Sequence, residues 1–148
     1  MNQPPLERIA ALGAGRMGRG IAIVFAYAGH PVTLVDLKTR ADGAADALRD
    51  AAMRDIAAQL DALSAAGLFA ASETTAILRQ IDFAPAAAAA EAMARADVLF
   101  EGVPEVLAAK HQALASASRA VRPDAIIAST TSTILVDDLA GHVERPER

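Results

Sequence analysis

The stretch LGAGRMGRGIA, residues 12–22, decides the fold, because an apolar run there passes through closely spaced glycines into a helical pattern. Gly13, Gly15 and Gly18 have the spacing G-x-G-x-x-G, directly after a predicted strand and at the start of a predicted helix. In that setting the glycines permit a tight turn, let a pyrophosphate approach the backbone and let the helix pack closely on the sheet. The free N–H groups of the first helical turn then face the phosphates. The predicted cofactor-binding residues of this turn are Gly13, Ala14, Gly15, Arg16, Met17 and Gly18.

Asp36 completes the pattern of a dinucleotide site. It follows the apolar run 32–35 and lies eighteen residues after Gly18, close to the distance of about 20 residues at which an acid accepts hydrogen bonds from the adenosine ribose. A carboxylate there repels a 2′-phosphate, so the sequence favours NAD over NADP as the cofactor. Lys38 and Arg40 lie just beyond Asp36 and are able to attract that phosphate. The alternative role of Asp36 is a simple cap at the end of a strand.

The rest of the chain alternates strand and helix patterns, which is typical of an open α/β sheet. Short apolar runs without polar alternation predict strands buried on both faces, and they lie at 9–12, 32–35, 81–83, 98–100 and 125–128. Helical patterns lie at 17–28, 39–66, 72–80, 86–95 and 104–121. The predicted fold class is α/β, a Rossmann-like doubly wound and mostly parallel sheet, with a helical arm at about 39–80 inserted after the second strand. Whether this pair of helices stands beside the sheet or packs on it is left open by the pattern.

Composition narrows the range of partners. The chain has 148 residues, enough for one domain, a net charge of −4 and no cysteine. The charge argues against nucleic acid and anionic membranes as partners. The absence of cysteine excludes disulfides and thiolate metal sites, and the three histidines lack carboxylates at ligand spacing, so no metal site is predicted. Without a signal peptide or a membrane-spanning run, we expect a cytoplasmic protein.

Four blocks of sequence resemble the N-terminal domain of the L-3-hydroxyacyl-CoA dehydrogenases. They are GAGRMGRGIA at 13–22, GHPVTLVD at 29–36, FEGVPEVLAAKHQAL at 100–114 and IIASTTSTILVDDLA at 126–140, in the order and spacing of the family. The resemblance implies an oxidoreductase of fatty acid metabolism that binds NAD and oxidises the 3-hydroxyl of a 3-hydroxyacyl-CoA. It also implies that residues 1–148 are the NAD-binding domain, that the C-terminal catalytic and dimerisation domain of the family is absent, and that the full-length enzyme is a homo-oligomer acting on a small-molecule substrate.

The resemblance assigns roles to three further residues. Glu105 and Lys110 match the Glu and Lys of an E-x-x-x-x-K element near the bound NAD, and Ser132 matches a serine that hydrogen-bonds the oxygen being oxidised beside the nicotinamide. Ser132 is therefore the predicted catalytic residue as well as a cofactor-binding one. From the residues alone, Glu105 and Lys110 are ordinary helix residues, and Ser132 or Thr133 is a helix cap. Glu101 is interpreted as a structural residue at the end of a strand.

The sequence also departs from the family. Thr130 replaces the family's Asn, and Ala52 and Gln59 stand where ungapped counting places a Ser and a Lys that contact coenzyme A, although Arg49 or Arg54 could substitute. The family's general-base His would lie beyond Arg148, so we predict that the isolated chain binds NAD but oxidises nothing measurably. Two alternatives stay open: a non-catalytic dinucleotide-binding or structural relative, and a dehydrogenase of a smaller 3-hydroxy acid without CoA.

Overall fold

The structure is a computed structural model that describes residues 7–148. Five strands form one sheet in the order β3-β2-β1-β4-β5, and all four neighbouring pairs are parallel. The strands are β1 Ile9–Leu12, β2 Val32–Val35, β3 Ile81–Ala84, β4 Val98–Glu101 and β5 Ile126–Ser129. The predicted fold class, a Rossmann-like parallel sheet, is confirmed.

Among residues 7–148, five α-helices connect the strands and cover both faces of the sheet, and a sixth follows β5. They are α1 Arg16–Tyr27, α2 Ala44–Ala65, α3 Thr74–Leu78, α4 Ala89–Ala94, α5 Leu107–Ala120 and α6 Val136–Ala140. Short 3₁₀ turns, Ala71–Glu73 and Ala86–Ala88, precede α3 and α4. None of these helices is long and apolar enough to cross a membrane.

The core consists of two apolar layers, one on each face of the sheet. Ile9 and Ala11 of β1 face one layer, whereas Ala10 and Leu12 face the other, as the two-residue period of a strand requires. The first layer is completed by α1, α2 and α3, and the second by α4 and α5. All four residues of β1 are therefore buried and apolar.

The inserted helices pack against α1 and join the apolar layer on one face of the sheet. Ala52, Ile56 and Leu60 of α2 are buried in the same layer as β1 and β2, together with Ile77 of α3. A stripe of this kind, repeated every four residues, is the buried side of an amphipathic helix. The sequence left open how this pair of helices packs, and the burial of the stripe answers it.

Several predicted helix ends differ from the structure. The helix expected from residue 39 begins at Ala44, after Gly43 in the left-handed conformation with φ 76°. The helix expected from Pro104 begins at Leu107, because residues 104–106 form a turn in which the Val106 N–H donates to the Pro104 carbonyl at 2.7 Å. Ser72 does not cap α3, since it lies inside the preceding 3₁₀ turn. Each error lies at a helix start, where side-chain and turn contacts compete with the helical pattern.

Candidate NAD-binding site

The carboxyl ends of four strands meet at one edge of the sheet, and the predicted site residues lie there. Leu12 is in register with Val35 of β2 and with Glu101 of β4, and Glu101 is in register with Ser129 of β5. The strand order reverses between β1 and β4, which is the place where open α/β sheets bind ligands. A cavity of about 1020 Å³ opens at this edge. It is lined by Gly13, Ala14, Gly15, Arg16, Met17, Asp36, Glu105 and Ser132 among the predicted residues, and by Arg19, Arg40, Gly102 and Thr130 among others.

The glycine turn is held tightly between β1 and α1. Gly13 has φ 94°, a conformation that favours glycine, and its N–H donates to the Val35 carbonyl at 2.8 Å. Gly18 is buried against this turn, because a Cβ at Gly18 would lie 1.9 Å from the Gly13 carbonyl oxygen. Gly18 is thus a packing residue that shapes the cavity without lining it.

Gly15 has a different explanation. It precedes the first residue of α1 with φ −79°, which other residues adopt readily, and a Cβ there would meet nothing within 4 Å. Neither backbone conformation nor packing within residues 7–148 therefore requires a glycine at this position. The empty space above Gly15 belongs to the cavity.

Asp36 lies at the carboxyl end of β2 and is 4% exposed. Its Oδ1 accepts hydrogen bonds from the Lys38 N–H and from Nη2 of Arg40, both at 3.2 Å, and its Oδ2 accepts from Nε of Arg40. The Asp36 carboxylate, which is predicted to bind the ribose, therefore already forms a bidentate ion pair with Arg40 of the same loop.

Glu105 organises the hydroxyl-rich segment that follows β5. Its Oε1 accepts hydrogen bonds from the N–H groups of Ser132 and Thr133 at 2.9 and 3.0 Å, and from the hydroxyls of Thr131 and Thr133 at 2.7 and 3.0 Å. The Thr131 hydroxyl and then these backbone N–H groups hold the pKa of the Glu105 carboxyl well below its usual range. Ser132 is exposed on the cavity wall. The segment 130–133 is thus fixed by a carboxylate rather than by a helix, since α6 begins only at Val136.

A lowered pKa of Glu105 makes stability depend on pH in a defined direction. The contribution of an acid with a depressed pKa is complete above its unfolded value of about 4.3 and is lost as pH falls through the folded value. We expect Glu105→Gln to lower the melting temperature by a constant amount above about pH 5 and by less at more acid pH. Thermal unfolding from pH 7 to pH 3, with the exposed Asp61→Asn as control, measures this. An equal loss at every pH would contradict it.

Lys110 lies beneath the cavity, not on its wall. Both Lys110 and Glu101 are 0% exposed, and the Lys110 Nζ lies 2.9 Å from each Glu101 carboxylate oxygen. The ammonium is also 3.3 Å from Oε2 of Glu105. Glu101 accepts further hydrogen bonds from the Val103 N–H at 2.8 Å and the Ser129 hydroxyl at 2.6 Å. Lys110 therefore acts on the site through Glu105 and cannot touch a ligand in this arrangement.

The sequence interpretation missed the buried partner of Lys110 and one residue of the cavity lining. Glu101, read as a structural residue, is the buried partner of Lys110. Gly102 lines the cavity opposite the glycine turn, and a Cβ there would lie 3.2 Å from the Leu12 carbonyl and 3.5 Å from the Met17 Cβ. The available signal was a glycine placed directly after the strand that neighbours β1.

Comparison with known proteins identifies the family. The sequence profile of the family described as 3-hydroxyacyl-CoA dehydrogenase, NAD binding domain, matches residues 8–148. The chain belongs to this family.

Solved structures agree with membership of the 3-hydroxyacyl-CoA dehydrogenase NAD-binding family. FadB2 of M. tuberculosis is 30% identical with a TM-score of 0.84, and the match covers 98% of this chain and 48% of FadB2. The (S)-3-hydroxybutyryl-CoA dehydrogenase PaaH1 of Ralstonia eutropha is 26% identical with a TM-score of 0.83, covering 97% of this chain and 47% of PaaH1. A 5-formyl-3-hydroxy-2-methylpyridine 4-carboxylic acid 5-dehydrogenase, an NAD⁺-dependent dismutase, is 29% identical with a TM-score of 0.70, covering 97% of this chain and 42% of that protein. The chain thus spans about half the length of these relatives.

Proposed function

We propose that this chain binds NAD in the cavity at the carboxyl edge of the sheet and forms the cofactor half of a 3-hydroxyacyl-CoA dehydrogenase. Residues 13–18 hold the pyrophosphate, the adenosine ribose lies at Asp36, and the nicotinamide lies toward Ser132. The spacing of these groups supports the proposal, because all three line one continuous cavity. The N–H groups at the start of α1 and the dipole of this helix favour a negatively charged ligand there.

The open space around Gly15 is the observation that carries the proposal. A glycine at the start of a helix is a few tenths of a kcal/mol less stabilising than Ser, Thr, Asp or Asn. Nothing in residues 7–148 approaches the missing Cβ, and Gly15 lines the cavity, so the open space is available to what the cavity holds. A pyrophosphate resting against the backbone is such a ligand, because it needs the volume that a side chain would occupy.

The proposed chemistry divides between cofactor and protein. NAD, when bound, supplies the acceptor for the hydride of the substrate carbon. Ser132 holds the oxygen of the substrate hydroxyl, and Glu105 keeps the backbone around Ser132 in place. Lys110 and Glu101 are positioning residues in this proposal, because their side chains act through Glu105 and Ser129.

The general base is assigned to the part of the full enzyme outside this chain. The Nδ1 atom of His30 lies 3.1 Å from the Glu7 carbonyl oxygen. His111 stacks on His142, and their ring centroids are 3.4 Å apart. These three histidines do not line the cavity. General-base catalysis contributes about 10²–10⁴-fold to rate, so we propose that residues 1–148 alone bind NAD without measurable oxidation. A homo-oligomeric full-length enzyme and a cytoplasmic location stay predictions.

A dehydrogenase of a smaller substrate without CoA is the second candidate. Ala52 is buried at the cavity wall and offers no polar group. Arg49 is engaged with Asp46 and Asp50, at 2.9 Å to each, which leaves fewer cations on α2 for the phosphates of CoA. The similarity to a pyridine carboxylic acid dehydrogenase agrees with such a substrate. Competition of acetoacetyl-CoA or of free acetoacetate with a fluorescent substrate analogue in the full-length enzyme would distinguish the two.

Replacing Gly15 with valine tests the proposed cofactor site. We expect the affinity for NADH to fall by about tenfold to thirtyfold, because the added side chain occupies the volume of the pyrophosphate. Titration of the purified chain with NADH, followed by nicotinamide fluorescence, measures the change. Gly20→Ala is the matched control, since Gly20 is in the same helix, has open space around it and lies outside the cavity lining. Unchanged NADH affinity in a folded Gly15→Val variant would refute the assignment.

A further inference from the structure

The ion pair between Asp36 and Arg40 has a consequence for the choice of cofactor. NAD-binding sites discriminate against NADP with an acid that accepts bonds from the ribose hydroxyls and repels a 2′-phosphate. In this chain both oxygens of that acid are taken by one guanidinium: Nε donates to Oδ2, and Nη2 donates to Oδ1 at 3.2 Å. The repulsive charge of Asp36 is therefore compensated before any ligand arrives.

Among the residues that line the cavity near Asp36, positive charges outnumber negative ones. Lys38 is exposed two residues away, and its ammonium forms no ion pair among residues 7–148. Asp36, Lys38 and Arg40 together carry a net charge of +1 where the ribose of a dinucleotide would lie. A phosphate monoester carries about −1.5 to −2 at neutral pH, so its attraction to this group outweighs its repulsion.

Arg40 has the position and chemistry of a phosphate ligand. Its side chain is 30% exposed and lines the same cavity as the glycine turn. A guanidinium binds phosphate through two parallel hydrogen bonds, as it now binds the carboxylate. A guanidinium has five N–H donors, and Asp36 engages only the Nε and Nη2 groups of Arg40, so Arg40 has donors left for a phosphate while the buried carboxylate stays paired.

We propose that Arg40, supported by Lys38, forms a subsite for the 2′-phosphate of NADP, so that this chain binds NADP as well as NAD. When NADP is present, Arg40 stays paired with Asp36 and donates its remaining N–H groups to the phosphate. When NAD is present, the ribose hydroxyls must compete with Arg40 for Asp36. Arg40 is thus a specificity-determining residue that narrows the preference for NAD. The inference rests on the proposed dinucleotide site.

The test compares NADH and NADPH on the purified chain by nicotinamide fluorescence and calorimetry. For the unmodified protein we expect NADPH to bind within about tenfold of NADH, and to lose more affinity than NADH as salt is raised. Arg40→Gln is expected to raise the ratio of the NADPH to the NADH dissociation constant by about tenfold or more, because it removes a charge-assisted contact made only by NADPH. Asp36→Ala is expected to weaken NADH more than NADPH.

Arg16→Gln is the matched control, because Arg16 lines the cavity beside the pyrophosphate that both cofactors share. It should weaken both and leave their ratio unchanged. If NADH binds while NADPH fails to bind the unmodified protein, the inference is refuted and the proposed NAD site stands. An unaltered ratio in a folded Arg40→Gln variant also refutes it. If NADH does not bind to the unmodified protein, the proposed function is itself refuted.

Discussion

Replacing Lys110 with methionine is expected to lower the free energy of unfolding by about 3–5 kcal/mol, the usual loss when one partner of a buried ion pair is removed. Lys110 and Glu101 are both 0% exposed. Methionine fills most of the volume of the lysine, so the loss comes from charge rather than from a cavity. Without the ammonium, the Glu101 carboxylate stays in the core beside Glu105 with no cation between them.

A second substitution separates charge from packing in this prediction. Glu101→Gln removes the orphaned charge, and its amide group keeps hydrogen-bonding capacity toward Ser129 and the Val103 N–H. We therefore expect the double variant Glu101→Gln, Lys110→Met to be more stable than Lys110→Met alone, giving a coupling energy of about 2 kcal/mol or more in a double-mutant cycle. Urea unfolding of the four proteins measures it. Losses that simply add would show that Lys110 and Glu101 do not act as a pair.

This ion pair also shows where inference from the sequence reached its limit. The buried residues of α5 are Lys110, Ala113, Leu114, Ala117 and Ser118, of which Leu114 alone is a large apolar residue. The apolar pattern does not place Lys110 on the buried side of α5, because alanines that form the core carry almost no periodic signal in a chain so rich in alanine. Lys110 on this alanine-lined face predicts a buried ion pair only when Glu101, nine residues earlier in the sequence, is known to lie against it.

The parts that could be predicted share a physical cause. Strands β1 and β2 are buried on both faces, so their continuous apolar runs mark them to the residue. Gly13 and Gly18 of the glycine turn were recognisable because backbone conformation restricts the first and close packing restricts the second. By contrast, the bond between Asp36 and Arg40 depends on how a polar loop closes, and the contact of Glu105 with residues 131–133 joins segments 26 to 28 residues apart. Neither leaves a local pattern.

Gly18→Ala is expected to destabilise the fold by about 3 kcal/mol, the upper end of the usual cost of overpacking. The new Cβ would lie 1.9 Å from the Gly13 carbonyl oxygen and 3.5 Å from a methyl group of Leu34. The carbonyl belongs to the backbone of the turn and cannot rotate away like a side chain. Helix α1 would have to move off the sheet, which also displaces the N–H groups proposed to face the pyrophosphate.

Gly20→Ala, two residues further along α1, is expected to have the opposite effect on stability. Gly20 lies in the same helix with nothing within 4 Å of its missing Cβ, so alanine should stabilise the protein by about 0.5–1 kcal/mol through helix propensity. Opposite signs for the two variants in thermal or urea unfolding would attribute the loss at Gly18 to its contact with Gly13, because propensity favours alanine at both. If Gly18→Ala were neutral or stabilising, α1 could not pack on the turn as closely as the structure shows. The position of the N–H groups proposed to face the pyrophosphate depends on that contact.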